Sequence, residues 1–482
     1  MILDERTDLP QASPARPGGI RITQDHWNQL RGHLLSDAYE HAALLLCGVH
    51  RRSGRIDFLV RSVVELTNDD YLGSGALHLS ISPRSLARYA KLARTQNATL
   101  VLCHSHPFPG EVVASSIDLR TEMELCGRVF SHRLGGTPSA ALILGPGGID
   151  GRVWDELGAS ALTEVTIVGP RIERRVCNSF GLRQPPAAPD EAADFGDLAT
   201  TRQALLWGEI GQQVLRRAHV VVVGCGGTGS HVLAQLAHLR IGKLTLIDPD
   251  LVETSNLSRL VGATSTDVGR AKVDVLADHA RGINPSAQVT PLAASILDVN
   301  PRALLDADVI VCATDGHGSR ALLTEVPQQY LIPVVDLGVE VDPNSGTFRA
   351  GGGVRVLRPG SGCLHCARTL SPDLVREEYL DDDQRILEIR RGYIRGESVP
   401  APSVIALNGV VASLAVLEVC QLLVGMLGDG RDRMLYRAES RALTTASMPS
   451  DADCYVCGEV GLLGLGDARP LPTRWRPAVH AG

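Results

Sequence analysis

The chain has 482 residues, of which 44% are hydrophobic and 21% are charged, and its formal net charge is -7. This size and composition predict a globular protein of about three domains. A negative charge without a basic patch argues against a nucleic-acid binder. The acidic start MILDERTDLP has no apolar run typical of a secretory signal. The longest apolar stretch, Val410 to Leu427, is interrupted by polar residues and favours a buried helix over a membrane span.

The number and spacing of the cysteines indicate a reducing compartment. Eleven cysteines are too few and too scattered for a disulfide framework in a chain of this length, and paired C-x-x-C hooks suit a reducing compartment. We therefore expect a cytoplasmic protein that binds neither nucleic acid nor a membrane.

The first predicted elements follow a flexible leader, residues 1–18. Strand-like apolar runs then alternate with helical stretches over residues 19–180, which we predict to form an α/β domain. The predicted elements of this domain are the strands Ala42–Cys47, Phe58–Leu66, Leu100–Cys103 and Ala140–Leu144 and a helix over Pro83–Thr95.

A second α/β domain is predicted over residues 201–460, after a proline-rich linker at 181–200. Its βαβ rhythm predicts a Rossmann-like, doubly wound parallel sheet. Residues 366–402 are charged and predict a long, irregular crossing loop, and residues 461–482 predict a C-terminal tail. The predicted elements are the strands His219–Val223, Lys243–Ile247, Asp308–Cys312 and Pro333–Val335 and the helix Gly229–Leu239.

Histidines at the end of an apolar strand form the first candidate site. His104 and His106 are two residues apart, so their imidazoles point to one face of the strand. Ser115 and Asp118 are separated by one helical turn. Two histidines and one aspartate leave a fourth zinc position for water, which is typical of catalytic zinc. Glu40 is a candidate proton shuttle for that water.

These residues resemble the JAMM (MPN+, Mov34-type) metalloproteases, which cleave peptide or isopeptide bonds after ubiquitin-like proteins. The resemblance rests on Glu40 before LLLCG, the HSHP motif and the following S-x-x-D. It implies that His104, His106 and Asp118 bind a catalytic zinc, that Glu40 is the general base and that Ser115 donates to the oxyanion. Eight residues separate His106 from Ser115 where the family usually has seven, so Ser116 stays an alternative.

A glycine-rich loop after a valine-rich strand forms the second candidate site. The loop glycines would let backbone amides approach phosphates, and the carboxylate of Asp248 would hold ribose hydroxyls. This pattern alone fits a nicotinamide-dinucleotide fold as well as an ATP site. The loop contains Gly224, Gly226, Gly227 and Gly229.

The residues after Asp248 favour ATP. Asp248-x-Asp250, Asn256-Leu257-Ser258-Arg259, Lys272 and Ala313-Thr314-Asp315 resemble the ubiquitin-activating superfamily, with its ThiF/MoeB-like adenylyltransferases, from about Thr201 to Gly458. The resemblance implies that Asp250 and Asn256 contribute to ATP binding, that Arg259 and Lys272 neutralise the triphosphate, and that Asp315 holds Mg²⁺. Arg202 matches an arginine that reaches into the partner subunit's site, so a homodimer is expected.

Two C-x-x-C hooks form a third candidate site. Four thiolates make the closed tetrahedral set of a structural zinc, and the superfamily shares such a site, which would pin the crossing loop to the end of the domain. The four cysteines are Cys363, Cys366, Cys454 and Cys457.

The acyl acceptor is the open question. Many relatives carry a cysteine in the crossing loop, but this chain has none between Cys366 and Cys420. The usual position falls near Ser398, and Ser403 is the other hydroxyl nearby. Serine is a poor nucleophile without a base. A capping role for these serines and direct attack by a partner on the adenylate both stay open.

Together these sites predict a bifunctional enzyme of a bacterial ubiquitin-like pathway, with ATP, Mg²⁺ and two zinc ions as cofactors. It would adenylate the C-terminal glycine of a ubiquitin-like β-grasp protein, pass it to a conjugating-enzyme-like partner, and cleave bonds after the same modifier. One alternative is processing and activation of a sulfur-carrier protein for thiocarboxylate-dependent cofactor synthesis. A second is a non-catalytic scaffold that binds a modifier.

Overall fold

Two eight-stranded sheets organise the chain in the computed structural model. The structure describes residues 16–52, 54–75, 78–178, 198–342, 349–391, 402–428 and 430–476. The first compact unit comprises the described residues of Met1–Gly169, Glu173–Asp194 and Gly464–Pro470. The second comprises those of Pro170–Ile172, Phe195–Leu463 and Leu471–Gly482.

The first sheet closes on itself. Its strand order is β1-β3-β2-β6-β7-β8-β9-β10, and β1 also pairs in parallel with β9. The elements are β1 (Gly18–Thr23), α1 (Gln24–Leu34), β2 (Ala42–Arg52), β3 (Arg55–Glu65), β4 (Tyr71–Gly75), β5 (His78–Ile81), α2 (Pro83–Thr95), β6 (Thr99–Ser105), α3 (Ser116–Glu122), a π-helical stretch (Met123–Phe130), α4 (Ser131–Arg133), β7 (Ser139–Gly145), β8 (Gly148–Asp155), β9 (Gly158–Val168) and β10 (Ile172–Val176).

Both faces of this sheet are buried because alternate residues of its strands enter different cores. In β2, Ala43 and Leu45 join one core with Trp27 of α1. Leu44 and Leu46 of the same strand join the other core, with Phe130 of the π-helical stretch. This explains why β2 reads as a continuous apolar run rather than an alternating one.

The second sheet has the order β13-β12-β11-β14-β15-β16-β17-β18 and is parallel from β13 to β15. The elements are α5 (Thr201–Arg217), β11 (His219–Val223), α6 (Gly227–His238), β12 (Lys243–Ile247), α7 (Lys272–Ile283), β13 (Gln288–Leu292), α8 (Arg302–Leu305), β14 (Val309–Cys312), α9 (His317–Tyr330), β15 (Val334–Asp342), β16 (Arg349–Leu357), α10 (Pro372–Tyr379), α11 (Asp382–Arg390), α12 (Ile405–Val424), β17 (Arg433–Arg437) and β18 (Ala442–Ala446).

The strand order creates a switch point in the second sheet. The chain runs outward from β11 to β12 and β13 and then returns to β14 on the other side of β11. Ligands of open α/β sheets bind outside the carboxyl ends of the strands at such a point. The predicted α/β class and Rossmann-like sheet are thus confirmed, and the ends of β11 and β14 are where a nucleotide site is expected.

Several predicted elements agree with the structure residue for residue, among them α2, β11 and β12. The prediction of an irregular segment over residues 366–402 is wrong in part, because this segment contains α10 and α11. Both helices begin at a side chain that caps the backbone, Ser371 and Asp381 respectively. The caps explain how two helices begin in a segment whose charged composition had predicted an irregular loop.

The long apolar helix α12 is a core helix of the second unit. By length and composition it could cross a membrane, but 61% of its most apolar window is buried inside the structure. Val411, Ala415 and Val419 belong to the hydrophobic core of the second sheet. A buried core helix therefore accounts for this hydropathy.

Candidate functional sites

The first site lies at the carboxyl end of β6. This strand is buried except at His104, which is half-buried, and His106 follows directly. The centroids of the two imidazole rings are 5.2 Å apart. Ala42 at the start of β2 pairs with His104, so Glu40, two residues before β2, comes to the same end of the sheet.

A helix N-terminus brings Asp118 to the two histidines. The hydroxyl of Ser115 accepts a hydrogen bond from the Asp118 amide at 3.2 Å, and Asp118 Oδ2 accepts one from the Ser115 amide at 2.7 Å. This reciprocal capping box orients the carboxylate. Asp118 Oδ1 lies 3.3 Å from His104 Nε2, and Asp118 Oδ2 lies 3.4 Å from His106 Nε2. The cap falls on Ser115, and Ser116 is the first residue of α3.

The three side chains form a ligand set that fits a metal ion. Their ligand atoms all lie within 4.8 Å of one another. His104 Nε2 is buried and makes no hydrogen bond of acceptable geometry to any described residue, although it faces the Asp118 carboxylate. Two imidazole nitrogens and one carboxylate oxygen match the ligands of catalytic zinc. A cation bound between the three side chains would give His104 Nε2 a partner.

The electrostatics of the site favour a cation. Burial opposes ionisation of Asp118, but the neighbouring imidazoles of His104 and His106 outweigh it and hold the pKa of Asp118 well below its ordinary value. The hydrogen bond to Asp118 raises the pKa of His106 against burial, and the charges of Glu40 and Asp150 add to that increase. All three carboxylates thus favour a positive charge at this position.

A pocket of about 360 Å³ opens beside the ligand set. Glu40, His104 and Asp118 line it, so a further carboxylate faces the same space as the ligands. The wall is apolar in part, with Ile117 half exposed at the helix start. The apolar lining residues are Ala42, Ile81, Leu102, Ile117 and Leu125.

Four thiols meet in the second unit. Cys363 Sγ lies 3.7 Å from Cys454 Sγ, and Cys366 Sγ lies 3.6 Å from Cys457 Sγ. All four sulfur atoms lie within 4.8 Å of one another. One hook follows β16 and the other follows β18, so the group joins segments about 90 residues apart. A tetrahedral thiolate set of this kind fits a structural zinc.

The glycine-rich loop lies at the carboxyl end of β11, beside the segment that follows β14. Gly224 has a φ of 91°, and a Cβ atom there would lie 2.6 Å from the backbone of Ala313 and Thr314. A Cβ at Gly229 would lie 1.9 Å from the carbonyl oxygen of Gly224. Only glycine fits either position. The loop enters α6, whose N-terminal amides favour phosphate.

Asp248 holds the backbone around this loop. Its Oδ2 accepts a hydrogen bond from the Cys225 amide at 2.6 Å, and its Oδ1 accepts one from the Asp250 amide at 2.9 Å. Burial raises the pKa of Asp248 above its ordinary value despite these bonds. Lys272 Nζ forms an ion pair with Asp250 Oδ2 at 2.8 Å. The structure therefore brings Lys272 to the carboxyl edge of the sheet.

Asn256, Arg259 and Asp315, the other residues predicted to contribute to ATP binding, lie in different environments. Asn256 is buried, and its Oδ1 accepts a hydrogen bond from the Glu253 amide at 3.3 Å, so its side chain serves the local turn. The side chain of Arg259 lies beside the loop, because a Cβ at Gly227 would lie 3.4 Å from Arg259 Cδ, and its Nη1 donates to the carbonyl oxygen of Ser255 at 2.7 Å. Asp315 is exposed just beyond the Ala313–Thr314 segment that contacts Gly224.

Two further predictions concern Arg202, the arginine expected to reach the partner subunit, and the serines considered as acyl acceptors. Arg202 is exposed in the first turn of α5. Ser398 lies outside the described residues. Ser403 is exposed, and its hydroxyl accepts a hydrogen bond from Asn408 Nδ2 at 3.1 Å.

Two features near the sites had not been predicted. Asn408 is 2% exposed, and its amide nitrogen would lie 2.3 Å from a Cβ at Gly227, so it packs on the glycine loop. A polar residue within the apolar α12 is the sequence signal that could have identified it. Arg152 is buried between Glu122 and Asp150 in the first unit. Asp150 and Arg152 are two residues apart on β8, but Glu122 is 30 residues from Arg152, so no local pattern indicates the whole group.

The chain matches the ThiF family over residues 200–456. It is similar to the SAMP-activating enzyme E1 of Haloferax volcanii, with 30% identity over 263 residues that cover 54% of this chain and 87% of that enzyme. The molybdopterin-synthase adenylyltransferase of Escherichia coli is 27% identical over 275 residues, which cover 56% of this chain and 99% of that enzyme. The structure of Escherichia coli MccB with ATP aligns with a TM-score of 0.42 and 22% identity over 54% of this chain and 75% of that one.

Proposed function

The chain belongs to the ThiF family, and on that premise we propose that its two units process one modifier. The second unit, an adenylyltransferase domain of the ThiF class, activates the C-terminal glycine of a ubiquitin-like β-grasp protein. The first unit cleaves the peptide or isopeptide bond that follows this glycine. A mature C-terminal glycine is the product of cleavage and the substrate of activation, so the two reactions share one chain end.

The observation that supports activation is the convergence of the glycine loop and basic residues at the switch point of the sheet. A carboxylate oxygen of the terminal glycine attacks the α-phosphorus of ATP, the bond to the bridging oxygen breaks, and pyrophosphate leaves. Lys272, held by Asp250, and Arg259, which lies beside the loop, neutralise the triphosphate. Asp315 is the residue that would hold Mg²⁺. Positioning and charge neutralisation supply the catalysis.

The observation that supports cleavage is the convergence of His104, His106 and Asp118 beside a pocket that also contains Glu40. His104, His106 and Asp118 would hold a zinc ion, which would lower the pKa of a bound water toward about 7. Glu40 accepts a proton from the attacking water and returns it to the departing amine. Ser115 accepts a hydrogen bond from the Asp118 amide, which leaves its hydroxyl proton to donate to the developing oxyanion.

Homodimer formation is part of this proposal. Helix α5 carries Arg202 and exposes large apolar side chains, with Leu205 88% exposed and Ile210 79% exposed. Exposed apolar patches of this kind mark interaction sites. A second copy that covers α5 would bring Arg202 to the partner's nucleotide site.

The fate of the adenylate separates two pathways. Transfer to a conjugating-enzyme-like partner gives modifier conjugation. In that pathway Ser398 would first accept the acyl group as an ester and then pass it to the partner. The absence of a cysteine between Cys366 and Cys420 favours direct attack on the adenylate, which is also what sulfur transfer to a carrier protein needs. A non-catalytic scaffold explains neither the ion pair of Lys272 nor the ligand set of His104, His106 and Asp118.

ATP–pyrophosphate exchange tests the activation step. The purified chain is incubated with ATP, Mg²⁺ and a β-grasp protein from the same genome that ends in glycine. We expect exchange with this protein and none with a variant that lacks the terminal glycine. Equal exchange with both variants, or none with any β-grasp protein of that genome, would contradict the proposal.

A further inference from the structure

Three charged side chains form a buried group in the first unit, outside the metal ligands. Glu122 is 1% exposed, Asp150 is 0% exposed and Arg152 is 2% exposed. Arg152 Nε donates to Glu122 Oε2 at 2.6 Å, and Arg152 Nη2 donates to Glu122 Oε1 at 2.8 Å. Arg152 Nη1 donates to Asp150 Oδ2 at 2.9 Å. The guanidinium therefore bridges two carboxylates.

Each carboxylate holds one side of the segment that carries Asp118. Glu122 lies one helical turn after Asp118 on α3. Asp150 Oδ2 also accepts a hydrogen bond from the Ala114 amide at 2.9 Å, and Ala114 directly precedes the helix cap Ser115. Arg152 thus holds the end of α3 through Glu122, and it also binds the carboxylate of Asp150, which holds the start; Asp150 and Arg152 both lie on strand β8. Asp118 lies between these two attachments.

Stability alone does not account for this group. Removing charges from water costs several kcal/mol for each ion, and well-packed apolar side chains of similar volume are often equally stabilising or better. A bidentate guanidinium–carboxylate contact instead fixes orientation. The neighbouring Trp154 Nε1 also donates to Glu122 Oε2, at 3.4 Å, so the position of the carboxylate is set from two directions.

We propose that Arg152 is a positioning residue for the site formed by His104, His106 and Asp118. It fixes α3 through Glu122 and Asp150, and so sets where the Asp118 carboxylate meets the two imidazoles. Ligand–metal distances in metal sites usually lie within about 0.2 Å of their standard values, so the ligands must be well placed. Loss of a supporting partner typically weakens metal affinity by about 10–100-fold. This inference rests on the proposed zinc-dependent cleavage.

Zinc affinity of the full chain tests this role. Arg152→Lys keeps the positive charge but cannot donate to both oxygens of Glu122 and to Asp150 in the planar arrangement of a guanidinium. We expect it to weaken zinc binding at the histidine site by about 10–100-fold, measured by competition with a chromophoric chelator. Zinc at the four cysteines should be unchanged. Arg128→Lys is the matched control, because Arg128 is exposed and its ion pair with Glu124 lies on the surface.

A second variant separates positioning from folding. Glu122→Gln leaves the Arg152–Asp150 ion pair in place and keeps a carbonyl acceptor for the guanidinium at position 122, so no buried charge loses its partner. It weakens the bidentate attachment of α3, and we expect zinc affinity to fall by about 10–100-fold while the melting temperature changes little. Wild-type zinc affinity in a folded Arg152→Lys or Glu122→Gln variant would overturn the inference alone. A wild-type chain that binds one zinc, at the cysteines, would overturn the proposed cleavage and this inference together.

Discussion

The two groups of metal-ligating side chains differ in ligand type and in what surrounds them. The cysteine group offers four sulfur atoms and leaves no position for a substrate, whereas the His104–His106–Asp118 group offers three ligands and adjoins a pocket of about 360 Å³. Ligand number separates structural from catalytic zinc. On the proposed function, the four cysteines would close the fold of one unit, whereas the three ligands in the other unit would leave one metal position open.

The supports of the two groups also differ. The cysteines are held by two short hooks that join distant segments. The histidine site depends on a strand end, a helix cap and the buried group around Arg152. A site that holds a reacting molecule needs its ligands fixed by supporting residues. The predictions below test this difference.

The largest effect is expected when the histidine ligands of the first unit are replaced. His104→Ala/His106→Ala removes two of three ligands, so one zinc is lost and cleavage after the modifier falls by about 1000-fold or more, the equivalent of about 4 kcal/mol. Cleavage of a modifier fusion, followed by gel electrophoresis, measures this. ATP–pyrophosphate exchange with the mature modifier is the internal control and should stay at the wild-type rate. Retained cleavage would show that the site is not catalytic.

The next largest effect is expected on the ATP-dependent activation of the modifier when Lys272 is replaced. Lys272→Ala removes a positive charge that Asp250 holds at the loop, and we expect ATP–pyrophosphate exchange to fall by about 100–1000-fold, as when one preorganised donor is lost. Lys91→Ala is the control, since Lys91 is exposed on α2 in the other unit. A comparable loss in both variants would rule out a specific role for Lys272.

Loss of the cysteine group should lower the stability of the second unit more than it lowers catalytic activity. Cys454→Ser/Cys457→Ser removes one zinc, and the free energy of unfolding of the second unit should fall by about 2 kcal/mol or more, because structural zinc contributes folding energy outright. Thermal denaturation and zinc content measure this. Zinc at the histidine site should be retained. Unchanged stability with one zinc fewer would contradict a structural role.

The smallest effect on a reaction rate is expected at the helix cap. Ser115→Ala removes the side-chain cap of α3, worth about 1 kcal/mol, a support of the ligand Asp118 and the proposed donor to the oxyanion, so cleavage should fall by about 100-fold. Ser116→Ala is the matched control, because Ser116 is the first helical residue rather than the cap. The opposite order of effects on the cleavage rate would assign the role to Ser116.

The sequence predicted the parts of the sites that depend on local patterns. The H-x-H pair at the end of β6 and the glycine loop after β11 are short motifs at strand ends, and both lie where they were expected. The S-x-x-D motif is a capping box, whose geometry is fixed within four residues.

Contacts between distant segments could not be predicted in this way. The group of Glu122, Asp150 and Arg152 forms only when α3 packs on β8, and a charged residue in a strand usually indicates an exposed face. The predicted tail, residues 461–482, likewise contains Gly464–Pro470, which belongs to the first unit. Asp467 there accepts a hydrogen bond from the Arg51 amide at 2.7 Å, a contact that no local pattern indicates.

One measurement tests most directly whether both units act on the same modifier. The β-grasp protein is prepared with a few residues beyond its C-terminal glycine, and ATP–pyrophosphate exchange is followed over time with the wild-type chain and with His104→Ala/His106→Ala. We predict exchange after a lag in the wild type, none in the variant, and equal exchange by both with the mature modifier. Exchange by the variant with the extended protein, or none by the wild type despite exchange with the mature form, would contradict the account.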